Sequence, residues 1–121
     1  MKSLFVQYDK TPWIEPIPGF RYKPIIIDKL GGSLVKLDKG VVTQPHAHAD
    51  EQLDFILKGR IEIHLKDSKG ERIEIVTAGM AFALDPHVLH GVKALDDSEL
   101  IEAWTPADRH TKVALLVREG E

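Results

Sequence analysis

Along most of the chain, apolar and polar residues alternate over short stretches, and each stretch runs into turn residues. "SLVKLDKG" (33–40), "QLDFILKG" (52–59), "RIEIHLKDSKG" (60–70), "ERIEIVTAG" (71–79) and "ELIEAWTP" (99–106) carry the period of two that predicts strands with one buried face. Shorter apolar runs at 80–84, 90–95 and 112–117 predict further strands. The linkers "DKG", "KG", "DSKG" and "TAG" place glycine where tight turns need a positive φ. The clearest hairpin spans 60–79, where Ile61, Ile63 and Leu65 share one face and Ile73 and Ile75 share one on the return strand. No long stretch keeps a 3.6-residue period, and a single helical turn around 105–112 is the most the pattern allows. Many short antiparallel strands at near-even spacing predict an all-β sandwich or small barrel.

Residues 1–24 break this regularity and hold four of the seven prolines: Pro12, Pro16, Pro18 and Pro24. They read as an arm laid over a barrel formed by 25–121, or exchanged with a second subunit; a loosely docked tail is the plainer alternative. With 121 residues the chain makes one domain, large enough to bury a core without covalent staples. The formal net charge of −3 comes without any Lys/Arg-rich stripe, which excludes nucleic acid as an expected partner. Cysteine is absent, so a disulfide framework, a thiolate metal site and a cysteine nucleophile are all excluded. The opening "MKSLFVQYDKTPW" is unlike a signal peptide, and no apolar run approaches the roughly 20 residues of a membrane span. A cytoplasmic protein with no membrane partner is the expectation.

The chemistry concentrates in "GVVTQPHAHADEQLDFILKG", where the spacing runs Gly40, five residues, His46, one, His48, three, Gln52, six, Gly59. Histidines one residue apart at a strand–loop–strand corner point to one face, and the following strand can bring Gln52 opposite them. A second segment, "GMAFALDPHVLHGVKAL", leads from Gly79 through Asp85-Pro86 to His90. Imidazole suits Zn, Fe, Ni, Cu and Mn, and three histidines completed by one oxygen make a divalent transition-metal site. Neighbouring Glu51 would replace Gln52 only if the register slipped by one.

Together the two segments resemble the two motif regions of the cupin family. The first matches G-x5-H-x-H-x3-E-x6-G with Gln52 where most members carry Glu. In the second, usually G-x5-P-x-G-x2-H-x3-N, the proline is displaced to Pro86, His87 replaces the second glycine and Ala94 the asparagine. The resemblance covers roughly residues 25–105 and implies a double-stranded β-helix, the jelly-roll barrel, holding one divalent metal through His46, His48, Gln52 and His90. It also implies a homodimer, which agrees with the need of antiparallel sheets to cover their edges. With a neutral amide in place of Glu, the ion keeps its full double charge and favours an anionic substrate or a bound hydroxide.

Alternation places Asp54 and Ile56 on the same inward face as Gln52, with Leu53, Phe55 and Leu57 on the other. A buried Asp beside a metal is a candidate general base or substrate ligand, unless it sits wet at the mouth or pairs with an arginine. In "ELIEAWTP", Leu100, Glu102 and Trp104 share one face, offering a proton-transfer group and a stacking surface. This run is similar to the "D-x-F-S-P-x-R" of small cupins that open the ring of unsaturated uronates. The acid here is Glu102, the aromatic Trp104, and Thr105-Pro106 follows; Asp108 occupies the arginine position, with Arg109 one place late. By that resemblance Glu102 shuttles a proton, Trp104 packs on the sugar and Arg109 binds its carboxylate. His87 reads as a solvated loop residue, His64 as a surface one and His110 as either. Arg21 and Tyr22 either clamp a carboxylate at the mouth or simply pack.

Three functions follow as expectations. The first is a metal-dependent isomerase or ring-opening enzyme for a small anionic sugar or keto acid. The second is a metal-dependent dioxygenase. The third is a non-catalytic small-ligand sensor, though one without an attached DNA-binding segment.

Overall fold

Between residues 30 and 105, strands form in the stretches that the pattern predicts. The computed structural model describes residues 4–107 and 117–119. In chain order these form β1 (Leu4–Val6), a short 3-10 turn at Tyr8–Lys10, β2 (Ile14–Ile17), β3 (Phe20–Ile27) and β4 (Leu30–Leu37). After a long loop come β5 (Glu51–Lys58), β6 (Arg60–Asp67), β7 (Gly70–Thr77), β8 (Ala81–Leu84), β9 (Leu89–Ala94), β10 (Ser98–Thr105) and β11 (Val117–Glu119). Residues 108–116 are outside the described residues. They take with them Arg109, His110, most of the expected helical turn and all but Val117 of the strand expected at 112–117.

One sheet has the order β2-β3-β4-β10-β5-β8 and the second the order β7-β6-β9, while β1 pairs with β11. All strand pairings are antiparallel. Isolated bridges Val42↔Lys93 and His46↔His90 lay the loop after β4 alongside β9, extending the smaller sheet by one irregular strand. The two sheets face each other as a jelly roll, the single-domain all-β barrel the sequence implied. Val35, Leu37, Ile56 and Leu100 from one sheet meet Ile61 and Ile63 from the other to form the core. Burial of each such side chain is worth about 1.5–3 kcal/mol. No helix among the described residues is long and apolar enough to cross a membrane.

Two features differ from the sequence pattern. Ile73 and Ile75 do share a face, but it is the outer one: they are 57% and 46% exposed, and Val76 is the residue β7 buries. Register explains this, because Ile73 stands opposite His64 and Ile75 opposite Glu62, and directly opposed residues point to the same side. The second is β3, which runs straight across the boundary at residue 24. Pro24 had disguised it. β2 pairs with β3 only at Tyr22 and Phe20, so Pro24 stands beyond that ladder, where a proline is tolerated.

The N-terminal residues are clasped to the outside of β3 and β4. The Tyr8 hydroxyl donates to the Lys23 carbonyl (2.6 Å) and accepts from the Leu34 N–H (2.9 Å). Buried Lys23 in turn donates through Nζ to the Tyr8 carbonyl (2.9 Å) and lies 4.8 Å from the ring centres of both Tyr8 and Trp13. Burial pushes the Tyr8 phenol above its usual range, only partly offset by the bonds from Leu34 and Ser33.

Candidate metal centre

The β4–β5 loop and β9 bring three histidines to one end of the space between the sheets. His46 and His90 exchange both backbone hydrogen bonds, at 2.8 and 2.9 Å, so their side chains leave the bridge on one side. His48 lies two residues on, its carbonyl accepting the His87 N–H at 2.7 Å, which ties its loop to the turn before β9. One ligating nitrogen from each of His46, His48 and His90 lies within 4.8 Å of the others, a group that could hold a metal ion.

Proton placement in the three rings suits that task. His46 Nδ1 lies 3.0 Å from the Gln44 carbonyl and His90 Nδ1 2.9 Å from the Val88 carbonyl. His48 Nδ1 lies 3.2 Å from the Asp50 carbonyl and 2.7 Å from the Asp50 carboxylate. Carbonyl and carboxylate oxygens accept, so each Nδ1 donates its hydrogen and each Nε2 is left with a lone pair. The Nε2 of His48 is buried with no hydrogen-bond partner among the described residues. Asp50, 1% exposed, is a residue the sequence pattern passed over. Its signal was its place two residues after His48, where a carboxylate can fix the ring.

The remaining site residues come from the larger sheet. β5 alternates buried and exposed from Glu51 to Leu57, so Gln52, Asp54 and Ile56 face inward while Glu51, Leu53, Phe55 and Leu57 face out. Gln52 Nε2 donates to Asp54 Oδ1 at 2.8 Å, and its Oε1 is buried without a partner. On β10 the register sets Glu102 directly opposite Asp54 and Trp104 opposite Gln52. Trp104, 2% exposed, lies against Gly31 of β4: a Cβ at Gly31 would meet the indole at 2.3 Å. A cavity of about 250 Å³ is lined by His46, His90, Gln52, Asp54, Glu102 and Trp104. Phe20, Tyr22, Val35, Leu37, Phe82 and Leu100 form the apolar remainder. Arg21 pairs instead with Asp38 at 3.1 Å, and His64 contacts Glu62 at 2.9 Å on the outer surface. His87 is exposed in its loop.

A family model for the cupin domain matches residues 33–105, and this chain belongs to the cupin family. Among solved structures it is similar to an RmlC-like cupin from Shewanella frigidimarina, at 25% identity and a TM-score of 0.76, covering 86% of this chain and 91% of that one. It is similar to KdgF from a Halomonas species at 29% identity and a TM-score of 0.75, over 87% and 96% of the two chains. Oxalate decarboxylase from Lactobacillus farciminis shares the fold at 18% identity, with a TM-score of 0.78 over 89% of this chain and 34% of that one. No curated protein sequence matched the chain.

Proposed function

We propose that this cupin is a metal-dependent enzyme that isomerises or opens a small anionic sugar or keto acid. The observation that carries this is two inward carboxyl groups, Asp54 and Glu102, facing each other across β5 and β10 in the cavity that His46 and His90 line. A carboxyl group set in the cavity can take a proton from a substrate and return it, which is what an isomerisation or ring opening requires.

His46, His48 and His90, with the Gln52 carbonyl oxygen as fourth donor, would hold one divalent transition metal: Zn, Ni, Mn, Fe or Cu. Such an ion supplies Lewis acidity, polarising a carboxylate or carbonyl oxygen of the substrate. Glu102, on the cavity wall and less buried than Asp54, moves the proton. Trp104 offers the flat wall against which a sugar ring packs. The cavity lies below the usual range of about 300–1,000 Å³ for drug-sized ligands, which favours a small substrate. No Lys or Arg lines it among the described residues, so the ion's own charge, with Arg109 as a proposed second contact, binds the substrate's anion. Similarity to KdgF and the sequence resemblance to the uronate-opening cupins support this substrate class.

The Glu102→Gln variant is expected to keep its metal and lose about 10² or more in turnover of an unsaturated uronate. Turnover equal to wild type would remove Glu102 from the mechanism. The apolar remainder of the cavity favours one rival, a metal-dependent dioxygenase for a less polar substrate. An oxygen electrode separates the two, because ring opening consumes no O2.

A further inference from the structure

The Gln52 amide can be turned two ways, and only one of them offers oxygen to an ion. The hydrogen bond of 2.8 Å from Gln52 Nε2 to Asp54 Oδ1 selects that orientation. Both residues are on the inward face of β5 and almost wholly buried, at 8% and 2% exposed. A carboxylate accepts and cannot donate, so the opposite flip would set two oxygens against each other between two nearly buried residues. The flip adopted leaves Oε1 buried and without a partner. Gln52 lines the same cavity as His46 and His90.

We infer that Asp54 is a positioning residue whose carboxylate turns the Gln52 amide so that its oxygen serves the three-histidine group. This rests on Gln52 being the fourth ligand. It also accounts for the departure from the family motif. The negative charge that a Glu would place on the ion stands instead one residue further out, at Asp54, joined to the ion's ligand by a hydrogen bond. Donor and acceptor in such a pair are interchangeable only if both residues change. Gln52→Glu alone sets two carboxylates side by side. Asp54→Asn alone keeps the shape but lets the amide sit either way. The double variant Q52E/D54N restores one donor facing one acceptor, with an oxygen again turned to the ion.

The test is the affinity of metal-free protein for Zn2+, and separately Mn2+, read by competition with a chromogenic chelator. The wild type is compared with Gln52→Ala, Gln52→Glu, Asp54→Asn and Q52E/D54N, and a urea midpoint is taken for each metal-free protein. Gln52→Ala and Asp54→Asn are each expected to weaken binding about 10–100-fold, the usual cost of losing a ligand's support, and the double variant to recover it. Loss in Asp54→Asn without recovery in the double variant would overturn the inference, since Asp54 would then serve the barrel and not the amide. Unchanged affinity in Asp54→Asn beside a weakened Gln52→Ala would overturn it while leaving Gln52 a ligand. Unchanged affinity in Gln52→Ala would remove the ligand itself, and the inference with it. Should Asp54→Asn fail to fold alone, a folded double variant with wild-type affinity still supports the pair, and one without affinity refutes it.

Discussion

A histidine binds a metal through an unprotonated ring nitrogen, and a neighbour that can only accept fixes the proton on the other one. For His46 and His90 that neighbour is a backbone carbonyl two residues upstream, supplied by the chain's own path. His48 has a side chain for the purpose, the Asp50 carboxylate at 2.7 Å. Asp50→Asn is therefore expected to weaken metal binding about 10–100-fold while the metal-free protein still folds. Chelator competition together with circular dichroism checks this, and unchanged affinity would reduce Asp50 to a loop contact. At this scale the spacing of His46, His48, Gln52 and His90 was legible in the sequence because the family motif is local. Asp50 was not, because nothing in the residue order tells whether a loop carboxylate bends back onto a ring or points to water.

Elements set what these residues can reach. Gly31 on β4 and Trp104 on β10 are register partners, and the indole occupies the space a side chain at Gly31 would need. Gly31→Ala is expected to destabilise the protein by about 1–3 kcal/mol and to push the indole toward the cavity, an effect read in urea melts and tryptophan emission. A melt and spectrum like those of wild type would contradict that packing. Gly59 joins β5 to β6 with φ +89 and no room for a Cβ beside Ser98, so the glycine that closes the first motif has a steric reason. His87 adopts φ +68 where the family usually has glycine, so the backbone of the second motif is kept although its residue is not. Strands β5 to β10 begin within a residue of where the pattern places them, whereas β4 begins three residues before Ser33. That Asp54 would face Glu102 was not legible, because β5 pairs with β10 across 39 intervening residues and alternation cannot fix a long-range register. β3 was missed because Pro24 and a run of three isoleucines hide its period.

Over the whole molecule, the outer face of the larger sheet is unusually apolar. Leu53, Phe55 and Leu57 of β5 are 40%, 45% and 51% exposed, and Ile101, the register partner of Phe55, is 40% exposed. The proposed homodimer has in this face an apolar surface for a second copy to cover. Light scattering is expected to give the mass of two chains, falling to one in a Phe55→Glu variant that still binds metal; a wild type of one-chain mass would end the proposal. The central claim is that the group of His46, His48 and His90, which could hold a metal ion, does hold one. Elemental mass spectrometry of the purified protein, with His48→Ala alongside, tests it most directly. About one divalent transition metal per chain is expected in wild type, with loss in the variant. Wild-type protein that carries none, even after reconstitution with each candidate ion, would contradict the account.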